Sequence, residues 1–138
     1  MDIDENVLIT GCFDILHLGH FRLFEFAREQ AGPFGIIHIY LDSDQRVKKL
    51  KGESRPINDQ DSRKECLSGI GYLSGNLYIN IFDTDEELVD ACIRLKPIRI
   101  IGSDYKDKPV VGGEYCDIIY FDRVGNFSTT NIIGKLSA

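Results

Sequence analysis

Two histidines stand close together in the run Thr10-Gly11-Cys12-Phe13-Asp14-Ile15-Leu16-His17-Leu18-Gly19-His20. Imidazoles can donate hydrogen bonds to anionic oxygens, and they can do so with a positive charge. Gly11 and Gly19 let the backbone come close to a bound group. A second set of candidates lies between Asp42 and Pro56, where Arg46, Lys48, Lys49, Lys51 and Arg55 form a local positive cluster. A third is the hydroxyl run Ser128-Thr129-Thr130. Together these groups suit several phosphates in a row, so a nucleoside triphosphate fits better than a single phosphate.

The chemistry such a set can do is phosphoryl or nucleotidyl transfer. There, charge spreads over the oxygens around phosphorus, and catalysis is mostly positioning and electrostatic stabilisation. An attacking phosphate oxygen is already ionised and needs no strong general base. The histidines, lysines and arginine agree with that, and no nucleophile–base pair is evident. Zinc is the rival reading of His17 and His20, but it needs two further ligands that the sequence does not show nearby. No base lies beside Cys12 in sequence, so a packing role is expected there rather than a nucleophilic one.

These residues must be positioned by elements, and the pattern supplies them. Val7-Leu8-Ile9 leads into the histidine run, giving a strand over 7–12. Phe21, Phe24, Ala27 and Ala31 leave it at helical spacing, with Leu23 widening the stripe, giving a helix over about 18–31 that Gly32-Pro33 ends. The histidines therefore sit where a strand becomes a helix, beside the free N–H groups and positive dipole end of that helix. Further strands are expected at 36–41, 77–82, 98–101 and 118–121. Further helices are expected at about 59–70, from the acidic start Asp83-Thr84-Asp85-Glu86-Glu87 to Lys96-Pro97, and at about 129–136, the last capped by Ser128-Thr129-Thr130. The segment 42–56 reads as a polar loop. His38, inside the second strand, reads as a packed, hydrogen-bonded residue.

Strands alternating with helices predict an α/β fold: a single Rossmann-like doubly wound domain over 1–138, with a five-stranded, mainly parallel sheet and helices on both faces. Ligands of such sheets bind beyond the C-terminal strand ends at a switch point.

The 138 residues fit one domain. A net charge of −6 argues against bulk nucleic-acid or membrane-surface binding, so an anionic substrate needs the local cluster. The acidic N-terminus is no signal peptide and no apolar run approaches a membrane span. Cys12, Cys66, Cys92 and Cys116 contain no CxxC pair. They are expected to be free thiols, at least three of them buried, in a cytoplasmic protein.

The motifs carry a resemblance. Gly11-Cys12-Phe13-Asp14-Ile15-Leu16-His17-Leu18-Gly19-His20 resembles the GxFDxxHxGH signature of the cytidylyltransferase-like nucleotidyltransferases. Ser128-Thr129-Thr130-Asn131-Ile132-Ile133 resembles their STTxII signature. The segments Lys48–Ile57 and Gly102-Ser103-Asp104-Tyr105-Lys106 are similar to those of the heptose 1-phosphate adenylyltransferase branch, which makes ADP-heptose. Arg123 stands where glycerol-3-phosphate cytidylyltransferases also carry an arginine, and Ser103 where the heptose branch commonly has glycine.

The resemblance implies roles. His17 and His20 would contact the nucleotide phosphates and stabilise the transition state. Lys48 or Lys51 would reach the α-phosphate region, and Arg63 would help hold the phosphates or the second substrate. Gly11, Cys12, Phe13, Asp14 and Gly19 would shape the nucleotide pocket, with Arg123 on its border. Asp104 and Tyr105 would lie near the base and ribose, and Ser128, Thr129 and Thr130 would bind the β- and γ-phosphates. It implies magnesium with the triphosphate, a homodimer, and a separate kinase supplying the acceptor. The expected reaction joins ATP to a sugar 1-phosphate, best a heptose, with release of pyrophosphate. CTP with glycerol 3-phosphate is the alternative, and a nucleotide-binding regulatory module is the reading from another class.

Overall fold

The computed structural model describes residues 4–73, 75–122, 125 and 127–137. Five strands form one sheet: β1 (Asn6–Gly11), β2 (Ile36–Asp42), β3 (Leu77–Phe82), β4 (Ile98–Gly102) and β5 (Asp117–Phe121), in the order β3-β2-β1-β4-β5. Every neighbouring pair is parallel. The helices are α1 (Leu18–Ala31), α2 (Asp44–Lys51), α3 (Gln60–Ser68), α4 (Asp85–Leu95) and α5 (Thr129–Ser137). No helix among the described residues is long and apolar enough to cross a membrane.

Strand alternation sends successive side chains to opposite faces, and both faces are covered. Val7 and Ile9 of β1 join Ile37, Ile39 and Leu41 of β2, packed under Phe24, Ala27 and Ala31 of α1 and Leu67 of α3. Leu8 points the other way, into a smaller cluster with Tyr40, Phe82 and Leu88, Ala91 and Cys92 of α4. This two-sided burial is the doubly wound architecture that the alternating pattern predicts. His38 is buried, sits 3.0 Å from Asn6 Oδ1 through Nε2 and stacks on Tyr78, as expected of a packing residue.

The strand order reverses between β1 and β4, and there the ladder is short. β1 and β2 are in register over six residue pairs, but β1 and β4 only over Val7↔Ile98 and Leu8↔Arg99. Beyond those pairs the C-terminal ends of β1 and β4 part. The site occupies that crevice.

One expected loop is a helix. Residues 44–51 form α2, capped by Ser43, whose Oγ accepts the Arg46 N–H at 3.1 Å. Lys48, Lys49 and Lys51 crowd its last turn, where positive charge complements the helix dipole. Val47 is its buried residue, so the segment carries no apolar stripe from which a helix could be read. All four cysteines are free thiols. Cys12 and Cys92 are buried and Cys116 is half-buried, but Cys66 is exposed on α3.

Candidate active site

The turn between β1 and α1 builds the floor of the site. Its extended His17 caps α1 with a ring nitrogen: Nδ1 accepts the Gly19 N–H at 3.1 Å. His20, one turn on, returns the favour, its Nδ1 accepting the His17 N–H at 3.2 Å. The pair thus satisfies backbone donors that a helix start leaves open. Each Nδ1 acts as acceptor, so a neutral ring carries its proton on Nε2. The two rings lie with centroids 3.8 Å apart.

Gly19 is required by this packing. A Cβ there would stand 2.9 Å from His17 Cε1, closer than real Cβ contacts come. Phe13 takes a left-handed backbone with φ 48°, uncommon for a bulky residue. Its ring meets His20 edge-on at 5.4 Å and tilts against Phe24. Burial among these rings pushes His20 down to about 4, and the charges of His17 and Lys51 act in the same direction. In the ligand-free site His20 is therefore a neutral donor at neutral pH.

A cleft of about 490 Å³ opens above this turn. Among its lining residues are Cys12, Phe13, His17, Gly19 and His20 from the turn, Lys51 from the end of α2, Asp104 and Tyr105 after β4, and Ser128, Thr129 and Thr130 at the start of α5. The three separate sequence signals therefore meet in one place. Thr129 Oγ1 donates to Ile15 O at 2.9 Å, fastening α5 to the β1–α1 turn, and Ser128 Oγ accepts the Asn131 N–H at 3.0 Å as an N-cap. The Thr129 hydroxyl is thus a strap, and it is the α5 start as a whole that faces the cleft.

Several expected site residues stand elsewhere. Lys48 is exposed and does not line the cleft; Lys51, three residues on, does. Gly11 lies beneath the Phe13 ring, where a Cβ would come within 3.0 Å of it. The Asp14 carboxylate does not line the cleft but accepts the N–H groups of Ile57 and Asn58 at 2.6 and 2.9 Å, pinning the chain that enters α3. Arg123 lies outside the described residues.

Arg63 is the largest correction. Its side chain is fully buried beneath the turn. Nε donates to Asn58 O at 3.0 Å, Nη1 to Cys12 O and Asp42 O at 2.8 Å each, and Nη2 to the Asp44 carboxylate at 2.8 Å. It ties the turn after β1 to β2, α2 and α3 and is not among the residues lining the cleft. Cys12, beside it, is buried, and burial raises its thiol above the ordinary value despite the nearby Arg63 charge. It packs as a thiol and is not poised as a nucleophile.

Sequence spacing alone gave no reason to separate Arg55 from its charge run. It is buried and lines the cleft, with Nη1 3.5 Å from Thr130 Oγ1 and Nε 3.9 Å from Asp14 Oδ2. The signal available was the proline after it, which places it at a fixed turn rather than on a solvated helix face.

A second cavity, of about 350 Å³, adjoins the cleft and shares Thr10, Leu23, Gly102, Tyr105 and Phe121 with it. Asp42 and Arg46 reach its wall, paired at 3.1 Å, with Arg46 also bound to Asp85 at 2.9 Å and lying over the Phe82 ring. Burial raises the Asp42 carboxyl above its ordinary value, against the pull of Arg46. Among the described residues no group of three or more His, Cys, Asp or Glu side chains is disposed to hold a metal ion.

Comparison with known proteins identifies the family. The chain is 42% identical over 132 residues to the bifunctional protein HldE of Campylobacter concisus, covering 94% of this chain and 26% of that protein. It is 41% identical over 133 residues to HldE of Campylobacter curvus, covering 94% of this chain and 27% of that protein. The chain thus spans about a quarter of these relatives' length. The lipopolysaccharide core biosynthesis protein of Thermoplasma volcanium shares the fold, with a TM-score of 0.60 at 20% identity over 90% of this chain and 98% of that one. The model of the cytidylyltransferase-like family matches residues 8–123, from β1 through β5. The chain belongs to the cytidylyltransferase-like family and is a nucleotidyltransferase.

Proposed function

We propose that this nucleotidyltransferase moves the adenylyl group of ATP to a sugar 1-phosphate, best a heptose 1-phosphate, and releases pyrophosphate. The observation that carries the reading is the reciprocal His17–His20 cap, which sets two imidazoles in one cleft with Lys51 and the start of α5. The choice of ATP and heptose is supported by the HldE relatives and by the Lys48–Ile57 and Gly102–Lys106 segments.

In this reading an acceptor phosphate oxygen attacks the α-phosphorus, and the bond to the β-bridging oxygen breaks. The electron pair leaves with pyrophosphate, so no proton need be taken from the nucleophile. His17 and His20 donate from Nε2 to oxygens whose charge grows in the transition state, and Lys51 adds fixed positive charge beside them. Neutral donors held by the backbone need little reorganisation as that charge develops. Asp104 and Tyr105 border the base and ribose. The adjoining cavity, which opens off the cleft at Thr10 and Tyr105, has room for the sugar of the acceptor; its volume lies within the usual range for small-molecule sites. Magnesium would enter as an ion carried by the triphosphate, into a cleft whose lining includes the carboxylate residue Asp104. When bound, the ion offsets charge on the departing pyrophosphate.

The test is pyrophosphate release by the purified protein with magnesium, crossing ATP and CTP with heptose 1-phosphate, other sugar 1-phosphates and glycerol 3-phosphate. Release that requires ATP and heptose 1-phosphate together is expected. Release only with CTP and glycerol 3-phosphate would overturn the substrate assignment and keep the reaction class. Triphosphate binding with no release from any pair would favour a regulatory module.

A further inference from the structure

Arg55 is buried, with 8% of its surface exposed, and two of its nitrogens, Nε and Nη2, are buried without a hydrogen-bond partner among the described residues. Its Nη1 reaches Thr130 Oγ1 at 3.5 Å, the outer limit of a hydrogen bond. The carboxylate paired with it, Asp14, lies 3.9 Å from Nε, and that carboxylate already accepts the N–H groups of Ile57 and Asn58. A guanidinium cannot shed its charge, and hiding one with idle donors is unfavourable. An anion entering the cleft would supply what is missing.

We propose that Arg55 receives the terminal phosphates of the triphosphate, the end that departs as pyrophosphate. This rests on the nucleotidyl-transfer reading and adds a binding residue to it. The location selects that end of the ligand: Arg55 touches Thr130 in the first turn of α5, where open backbone N–H groups also favour phosphate. A planar guanidinium matches phosphate oxygens two at a time. Asp14 holds the guanidinium near its working position through charge alone, without a hydrogen bond that the ligand would have to break. The acceptor's phosphate is the other phosphate in the reaction, and it is separable by experiment.

The full chain and its Arg55→Met and Arg55→Lys variants are titrated calorimetrically with ATP, AMP and inorganic pyrophosphate, in magnesium buffer. Loss of charge-assisted hydrogen bonds in Arg55→Met should weaken ATP and pyrophosphate about tenfold or more, with AMP within about twofold. Arg55→Lys keeps the charge but not the fork and should recover part of the loss. Equal weakening of AMP and ATP, or a lower melting temperature with pyrophosphate affinity intact, would overturn the proposal. So would a rise confined to the acceptor KM. A wild type that binds ATP and pyrophosphate but turns over no acceptor would fail the acceptor assignment alone, and the Arg55 comparison would still decide this inference.

Discussion

The region beneath the β1–α1 turn and the cleft above it each hold a buried arginine. Arg63, below, meets three backbone carbonyls and one carboxylate, so all three of its nitrogens are engaged. Arg55, above, has two nitrogens buried without partners among the described residues. The same side chain is a structural strut in one region and an incomplete receptor in the other. Burial therefore does not distinguish them; the tally of satisfied donors does. A guanidinium already saturated by backbone oxygens has nothing left for a ligand, whereas one left short is held in readiness by the fold around it.

The largest effect that would sharpen this contrast is at Arg63. Arg63→Ala leaves the carbonyls of Cys12, Asp42 and Asn58 and the Asp44 carboxylate without their donor. Leaving buried acceptors without their donors costs about 1–3 kcal/mol each, so urea denaturation should show a loss of several kcal/mol. A stable Arg63→Ala protein with impaired ATP binding would break the contrast, because it would make Arg63 a ligand residue.

The next concerns His20. Its folded value of about 4 lies below the ordinary 6.5. As pH falls, the unfolded chain takes up this proton first, so folding weakens. The contribution is complete above pH 6.5 and is lost through the window down to about 4. The full shift corresponds to roughly 3 kcal/mol. Denaturation midpoints of wild type and His20→Asn, followed from pH 7 to 4.5, should converge as the wild type loses this advantage. Parallel curves would contradict the burial of the ring.

The smallest effect is at Gly19. Gly19→Ala sets a Cβ against His17 and should tilt that ring off its Gly19 N–H bond. A misplacement of this size is expected to lower kcat about tenfold while the melting temperature moves little. An unchanged kcat would mean that the ring orientation at the helix cap does not matter to the chemistry.

The β1–α1 turn was legible in sequence because two periods meet there: a short apolar strand gives way to a helical stripe, with one glycine before the histidines and one between them. The parallel sheet followed from the alternation of elements, and the meeting of residues 17–20, 51 and 128–130 lies at the switch point where open α/β sheets place ligands. α2 was hidden because Val47 is its buried residue; Ser43 at its start and Gly52 at its end were the traces it left. Arg63 was unreadable because its partners come from Cys12, Asp42, Asp44 and Asn58, and spacing along one helix cannot show that a charged side chain turns inward. The neutrality of His20 depends on rings from Phe13 and Phe24 closing around it, a packing fact. Lys48 and Lys51 looked equivalent in a charge run, and only the helix between them decides which one lines the cleft.

The central claim is that the His17–His20 pair stabilises developing charge rather than merely holding the nucleotide. The most direct measurement compares kcat with the ATP Kd in the His17→Ala/His20→Ala double variant. The account predicts a kcat lower by about a thousandfold, the scale of lost oxyanion-type donors, with the ATP Kd within about threefold of wild type. A Kd and a kcat that fall together by the same factor would contradict it, and would leave the pair as a binding element of the helix cap.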